Sequence, residues 1–362
     1  MNRIANLAAA TLIAVATTAA AQEKVVNVYN WSDYIDDAIL TDFTAETGIR
    51  VVYDVYDSNE ILETKLLAGG SGYDVVVPTG TFLQRQIKAG VYQPLQKDKL
   101  PNLKNMWPLV SDRLAKYDPD NAHAVNYMWG TTGIGYNVEK VRERLGVDVI
   151  DSWDVIFKPE MLAKFADCGV MMLDAPDEVM RAALNYLGID PDSKDAADYE
   201  KASALLMSVR SSVQKFHSSE YINALANGDI CLAVGWSGDI LQARDRAAEA
   251  DNGVTVNYAI PKEGAMMWFD NMAIPADAPN VENAHAFINY IMRPEVMAKA
   301  SNYVYYANGN LASKDFLIED VIGDPAIYPS DATMEKLYTV SPFDARLQRA
   351  VTRLWTSVRT GS

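Results

Sequence analysis

Trp and Asp stand close together three times in this chain: Trp31/Asp33 in NVYNWSDYIDD, Trp236/Asp239 in GWSGD, and Trp268/Asp270 in MMWFD. The first stretch adds Ser32 and Tyr34 to its pair. Aromatic faces and carboxylates both attract cations. An alkylammonium ion needs apolar walls for its methylenes and an acid for each charged head, because a buried, unpaired ammonium is costly. A single Trp is usually a core or rim residue, and a single Asp after a strand usually caps a helix. Three such pairs in one chain suit a polar ligand, and a dication best. Trp and Asp could also line a sugar site, and paired carboxylates could hydrolyse a glycoside, so a hydrolase is the second reading. The chain shows no Ser-His-Asp order and no G-x-S-x-G, so that catalytic machinery is lacking; a glycoside hydrolase would instead show an acid of raised pKa and turnover, and a binding module is expected to show neither.

Positioning those residues is the work of the surrounding elements. VVNVYNW, IRVVYDVYD and YDVVVPTG read as strands, with the helical stretches AILTDFTAETG, SNEILETKLLAGG and TFLQRQIKAG between and after them. This alternation predicts a parallel, doubly wound sheet. YDVVVPTG is nearly all apolar, as in a sheet covered on both faces. Two long extended stretches follow, YMWGTTGIGYNV at 127–138 and 254–276, with strand-to-helix units around GVMMLDAPDEVM and DICLAVGWSGD between them. AHAFINYIMRPEVMAKASNYV reads as helical. GTTGIG lacks the strand-turn-helix setting of a dinucleotide fingerprint. The Trp/Asp pairs, Thr79 and Thr81 after VVVP, and Asp174 to Glu178 in LDAPDE all read as strand ends. In open parallel sheets ligands lie beyond the carboxyl ends of strands, so these pieces would converge in one crevice.

Composition narrows the class. MNRIANLAAATLIAVATTAAA closes on Ala19 and Ala21, the small-residue pattern of a cleaved secretory signal, so residues 1–21 are read as a signal peptide and the mature chain as periplasmic. The remaining residues exceed what one core serves, so about two domains are expected. The net charge of −16 argues against nucleic acid, whose partners are basic. Cys168 and Cys231 are an even count in an exported chain, which points to a disulfide, with two buried free thiols as the alternative. His123, His217 and His285 stand at no ligand spacing, so neither a metal nor a Cys/His nucleophile is supported, and no cofactor is expected.

At these residues the sequence resembles the bacterial periplasmic polyamine-binding receptors of ABC uptake systems, most of all their putrescine-binding branch. The resemblance spans the mature chain and is carried by YNWSDYI, ETGIRVVYDVYDSNE, YDVVVPTGTFLQRQ, GTTGIGYN, LDAPDEV, HSSEYINALANGDICLAVGW, IPKEGAMMWFD and YPSDA. It implies an α/β, two-lobed periplasmic binding protein of type II, each lobe a mostly parallel sheet flanked by helices. The long extended stretches become hinge crossovers. Lobe 1 would be 24–132 plus 261–308, and lobe 2 would be 133–260 plus 309–362. The implied partners are a small polyamine and an inner-membrane ABC permease, and a monomer without catalysis is expected.

By position, the resemblance implies a ligand set of Trp31, Ser32, Asp33, Tyr34, Thr79, Glu178, Trp236, Asp239, Trp268, Asp270 and Tyr306. Asp239 and Asp270 would take the ammonium heads, with Glu178 aiding. Trp31, Trp236 and Trp268 would sandwich the methylenes. A matching cysteine pair in the family supports the disulfide. Two positions depart from the putrescine branch: Trp268 stands where it has Phe, and Ser341 where it has Lys. Ala175 and Thr81, in contrast, lack the acid and the aromatic of spermidine binders. A third ammonium therefore lacks a dedicated acid, and putrescine is expected over spermidine or cadaverine.

Overall fold

The computed structural model describes residues 24–362, so the expected signal peptide lies outside the described residues. The described strands are β1 (Val25–Trp31), β2 (Arg50–Tyr56), β3 (Val75–Val76), β4 (Ala124–Asn137), β5 (Val170–Met172), β6 (Lys215–Phe216), β7 (Leu232–Trp236), β8 (Val256–Ala259), β9 (Met266–Ala273) and β10 (Ala307–Asn308). They form one mixed sheet in the order β2-β1-β3-β9-β4-β7-β5-β6, with β8 and β10 also on β4.

Parallel pairing holds at the two ends of that order. β1 runs parallel to β2 and β3, and β5 runs parallel to β6 and β7. Between them the predicted doubly wound pattern gives way. β9 is antiparallel to β3 and β4, and β4 is antiparallel to β7. β4 changes partner at Thr132, which pairs with both Met266 and Trp236. All fourteen residues of β4 are buried, so this crossing strand is covered on both faces. The second extended stretch is two strands, β8 and β9, separated by a turn at Pro261–Gly264. The helical reading after it is likewise divided into helices Val281–Ile291 and Pro294–Val304, because Pro294 cannot donate to a continuing helix and instead starts a new one.

Local chemistry explains the flanking helices. The helix Asp37–Thr47 starts where the Asp36 side chain accepts from the Ala38 amide, a cap worth about 1 kcal/mol. It stops at Gly48, whose φ of 67° is left-handed. Ile39 and Phe43, four residues apart, form its buried face. Phe43 meets Phe287 and Tyr290 edge-on at 5.3 and 5.2 Å. Truncating such a core Phe costs about 3–5 kcal/mol. The cysteines form a disulfide that ties the approach to β5 to the approach to β7.

The carboxy-terminal segment is shared. Residues 311–316 pack on the helix Pro294–Val304, whereas the last helix, Ala345–Thr360, packs on the helix Ala196–Val209.

Candidate ligand-binding site

A cleft opens where the strands of both half-sheets end. Its aromatic lining is Trp31, Tyr34, Trp236, Trp268 and Tyr306. Its acids are Asp239, Asp270, Glu178 and Asp57. Ser32, Thr79, Asn59 and Ser218 complete it.

Each principal acid is held by hydroxyl or indole donors from separate elements. Asp270 lies in β9, two residues from Trp268, so both point to one face while Phe269 enters the core opposite. This pair therefore sits within a crossing strand and not at the strand end that the sequence suggested. Asp270 Oδ1 accepts from Thr79 Oγ1 at 2.6 Å, and Oδ2 accepts from the Tyr34 hydroxyl at 2.8 Å. Thr79 is itself set by Asn59, whose Nδ2 donates to Thr79 Oγ1 at 2.9 Å.

Asp239 lies in the first turn of the helix Ser237–Ala250, which begins directly after β7. Its Oδ2 accepts from the Tyr221 hydroxyl and its Oδ1 from the Tyr306 hydroxyl, both at 2.7 Å. The neighbouring Gly238 makes that approach feasible, since a Cβ there would stand 2.4 Å from the Tyr306 ring. Gly130 in β4 does the same for Trp268, whose ring atoms would lie 2.8 Å from an added Cβ. Glu178 lies in the first turn of the helix Pro176–Tyr186 and accepts from Thr132 Oγ1 and from Trp236 Nε1.

Burial dominates the electrostatics of all three acids. It pushes Asp270 up to about 7, against the opposing pull of Thr79 and Tyr34. It pushes Asp239 up to about 6, opposed by Tyr306 and Tyr221. Glu178 rises to about 8, through burial and then the neighbouring Asp177 charge, opposed by Thr132 and Trp236. Three carboxyls of raised pKa share one aromatic cleft, and a cation placed among them would favour their ionised form.

The rings form a connected wall. Trp31 meets Trp236 at 5.6 Å across the cleft, and Trp268 meets Tyr306 at 5.3 Å. Trp31 is fixed by its Nε1 donating to the Val77 carbonyl at 3.0 Å.

Of the ligand set implied by the resemblance, all but Asp33 line the cleft. Asp33 adopts a left-handed φ of 54° and turns its carboxylate onto Arg246 Nη2 at 2.8 Å. Asp174 is likewise diverted, bonding Trp355 Nε1 and Arg359. The discriminating positions also fall outside the lining. Thr81 is buried within the helix Gly80–Lys88, and Ala175 precedes the helix carrying Glu178. The Ser341 hydroxyl bonds Asp192, which also pairs with the buried Arg181. Sequence reasoning missed Asp57, Asn59 and Ser218. The signal was present, because Asp57 and Asn59 follow β2 and Ser218 follows β6. Applied to every strand, the strand-end rule would have found them.

Two parallel half-sheets joined by crossing strands, with a cleft at their carboxyl ends, define a type II periplasmic binding protein. The sequence profile of the family described as bacterial extracellular solute-binding protein matches residues 38–329, and the chain belongs to that family. It is 52% identical to the putrescine-binding periplasmic protein PotF of Escherichia coli, over 99% of this chain and 98% of that one. It is 55% identical to the putrescine-binding periplasmic protein SpuD of Pseudomonas aeruginosa, over 94% of each. Among solved structures, the spermidine/putrescine substrate-binding protein PotD of Streptococcus pneumoniae superposes with a TM-score of 0.76 at 31% identity, covering 93% of this chain and 99% of that one. The lipoprotein TpPotD of Treponema pallidum gives 0.78 at 26% identity, covering 93% and 100%.

Proposed function

We propose that this protein is a periplasmic receptor that holds putrescine in its cleft and delivers it to an ABC permease, with no catalytic step. The observation that carries the proposal is the pairing of Asp239 with Asp270. Each is a buried carboxylate with both oxygens fixed by donors, inside a wall of aromatic rings. Fixed acids pay little reorganisation when an ammonium head arrives. Asp270 and Asp239 take one head each. Trp31, Trp236, Trp268 and Tyr306 cover the methylenes, and Glu178 with Ser32 and Thr79 completes the polar contacts. The names of PotF and SpuD supply the ligand.

In this reading the two half-sheets are the lobes, and β4 and β9 are the crossings between them. Lobe closure around a ligand belongs to the hinge class of motions. A glycoside hydrolase would also use a carboxyl with a raised pKa, and the binding-protein relatives favour the receptor.

Calorimetric titration of the unliganded mature protein tests the proposal, with putrescine, cadaverine, spermidine and a neutral sugar as titrants. One-to-one binding of putrescine is expected. Heat from the sugar alone, or from no titrant, would overturn it.

A further inference from the structure

Beside Asp270, β4 carries one residue more than its partner strand. Its pairing with β9 runs Ala124↔Ala273, Val125↔Met272 and Asn126↔Asn271, then resumes at Met128↔Asp270, so Tyr127 has no partner in β9. Such a bulge leaves ladder groups unpaired and re-aims the side chains beside it.

The Asn126 side chain fills that gap. Its Nδ2 donates to the Met128 carbonyl and to the Asp270 carbonyl, both at 3.0 Å, and lies 3.4 Å from Asn271 Oδ1. All three partners are acceptors, which assigns the amide nitrogen to this side. Asn126 is 2% exposed and is no part of the cleft lining. It opposes Asn271, whose side chain leaves β9 on the face opposite to that of Asp270. Asp270 is thus held twice: its carboxylate from the cleft by Tyr34 and Thr79, and its carbonyl from behind by Asn126.

The bulged residue serves the same acid. The Tyr127 hydroxyl donates to the Tyr34 carbonyl at 2.8 Å, and the two rings meet edge-on at 5.5 Å. Asn271 reaches the Pro78 carbonyl with its backbone amide at 3.1 Å and with Nδ2 at 3.3 Å, directly before Thr79. Both donors to the carboxylate, Tyr34 and Thr79, are therefore anchored on the bulge and its partner Asn271.

A third piece of chain closes on Asn126. Gly309 follows β10, which pairs with β4 at Trp129 and Met128. A Cβ on Gly309 would stand 2.3 Å from Asn126 Oδ1 and 2.9 Å from Asn126 Cβ, so any larger residue displaces the amide. Among the described residues, Asn126 Oδ1 is buried with no donor. A buried oxygen without a partner is costly, so this amide is kept for what its nitrogen does.

Resting on the amine-receptor reading, we infer that Asn126 is a positioning residue for Asp270: through the bulge it sets where that carboxylate meets an ammonium head, and Gly309 is the glycine that leaves it room. Asn126 lies outside the cleft lining, so its effect on affinity runs through Asp270 and vanishes when that carboxylate is gone.

A double-mutant cycle read by calorimetry with putrescine tests this. Asn126→Leu keeps the shape of the side chain and removes the donor. It is expected to weaken putrescine binding about tenfold. Gly309→Ala, which pushes the amide away without entering the cleft, should weaken binding in the same direction. In an Asp270→Asn background the Asn126→Leu loss should shrink to less than about threefold, whereas in an Asp239→Asn background it should persist. A loss of equal size in both backgrounds is general loosening of the fold and overturns the inference. So does wild-type affinity in a folded Asn126→Leu protein. If Asn126→Leu does not fold, Asn126→Ser and Gly309→Ala go through the same cycle and are read the same way. Failure of the wild-type chain to bind any amine overturns the receptor reading, and this inference with it.

Discussion

Tyr34 and Tyr306 meet edge to face at 5.3 Å, and each donates its hydroxyl to a different buried carboxylate. Tyr34 serves Asp270 at 2.8 Å, and Tyr306 serves Asp239 at 2.7 Å. The two acids assigned to the ammonium heads are thus positioned by one aromatic contact, made between residues far apart in sequence.

Removing either hydroxyl while keeping the ring should expose this arrangement. A hydrogen bond to a charged group is worth about 1.5–3 kcal/mol. Tyr34→Phe is expected to weaken putrescine binding by about tenfold or more, and Tyr306→Phe similarly. Each should also raise the pKa of its acid further, because the lost donor favoured the ionised form. Titration calorimetry reads the first effect, and carboxyl NMR shifts against pH read the second.

Binding should depend on pH. The unliganded carboxyls titrate high, at about 7 for Asp270, 6 for Asp239 and 8 for Glu178. A dication requires them ionised, so binding expels protons. Affinity is expected to fall at least tenfold from about pH 8 to about pH 5. Calorimetry near pH 6.5 in buffers of different ionisation enthalpy should show net proton release of about one or more. Stability of the unliganded fold has the opposite slope. A raised acid contributes stability that is full below its unfolded pKa of about 4 and is lost as pH rises through its folded pKa. These three groups therefore favour the empty fold toward acid, with the loss spread between about pH 4 and 8.

Asp33 offers a contrast to Asp270. Its ion pair with Arg246 is part-exposed, with side chains 46% and 33% accessible, and such pairs contribute about 0–1 kcal/mol. Asp33→Asn is expected to change putrescine affinity by less than about fivefold. A loss as large as that of a cleft acid would return Asp33 to the ligand set.

Local pattern carried much of this fold. The β-α-β alternation to residue 90 and the strand-to-helix entries at Trp236 and Ala175 were legible, because capping and periodicity are set by neighbours. The antiparallel crossings were not. Nothing local states that β4 will pair with β9 and then with β7. Trp268 and Asp270 looked like a strand end because the strand they occupy continues through polar residues, Asp270 and Asn271, that a buried strand rarely carries. Tyr221, Thr132 and Tyr306 hold the acids from remote strands and helices, and only family resemblance named Tyr306 beforehand. Asp33 misled for a conformational reason: its left-handed backbone turns the side chain from the cleft, and a sequence does not print φ.

Asp270→Asn in putrescine titration tests the central claim most directly. The substitution keeps shape and can still bond Tyr34 and Thr79, so it removes charge with little else. The account predicts a loss of affinity of at least tenfold, about 1.4 kcal/mol, with the fold intact by thermal melting. Wild-type affinity in a folded Asp270→Asn protein would contradict it, because no ammonium head would then rest on that carboxylate.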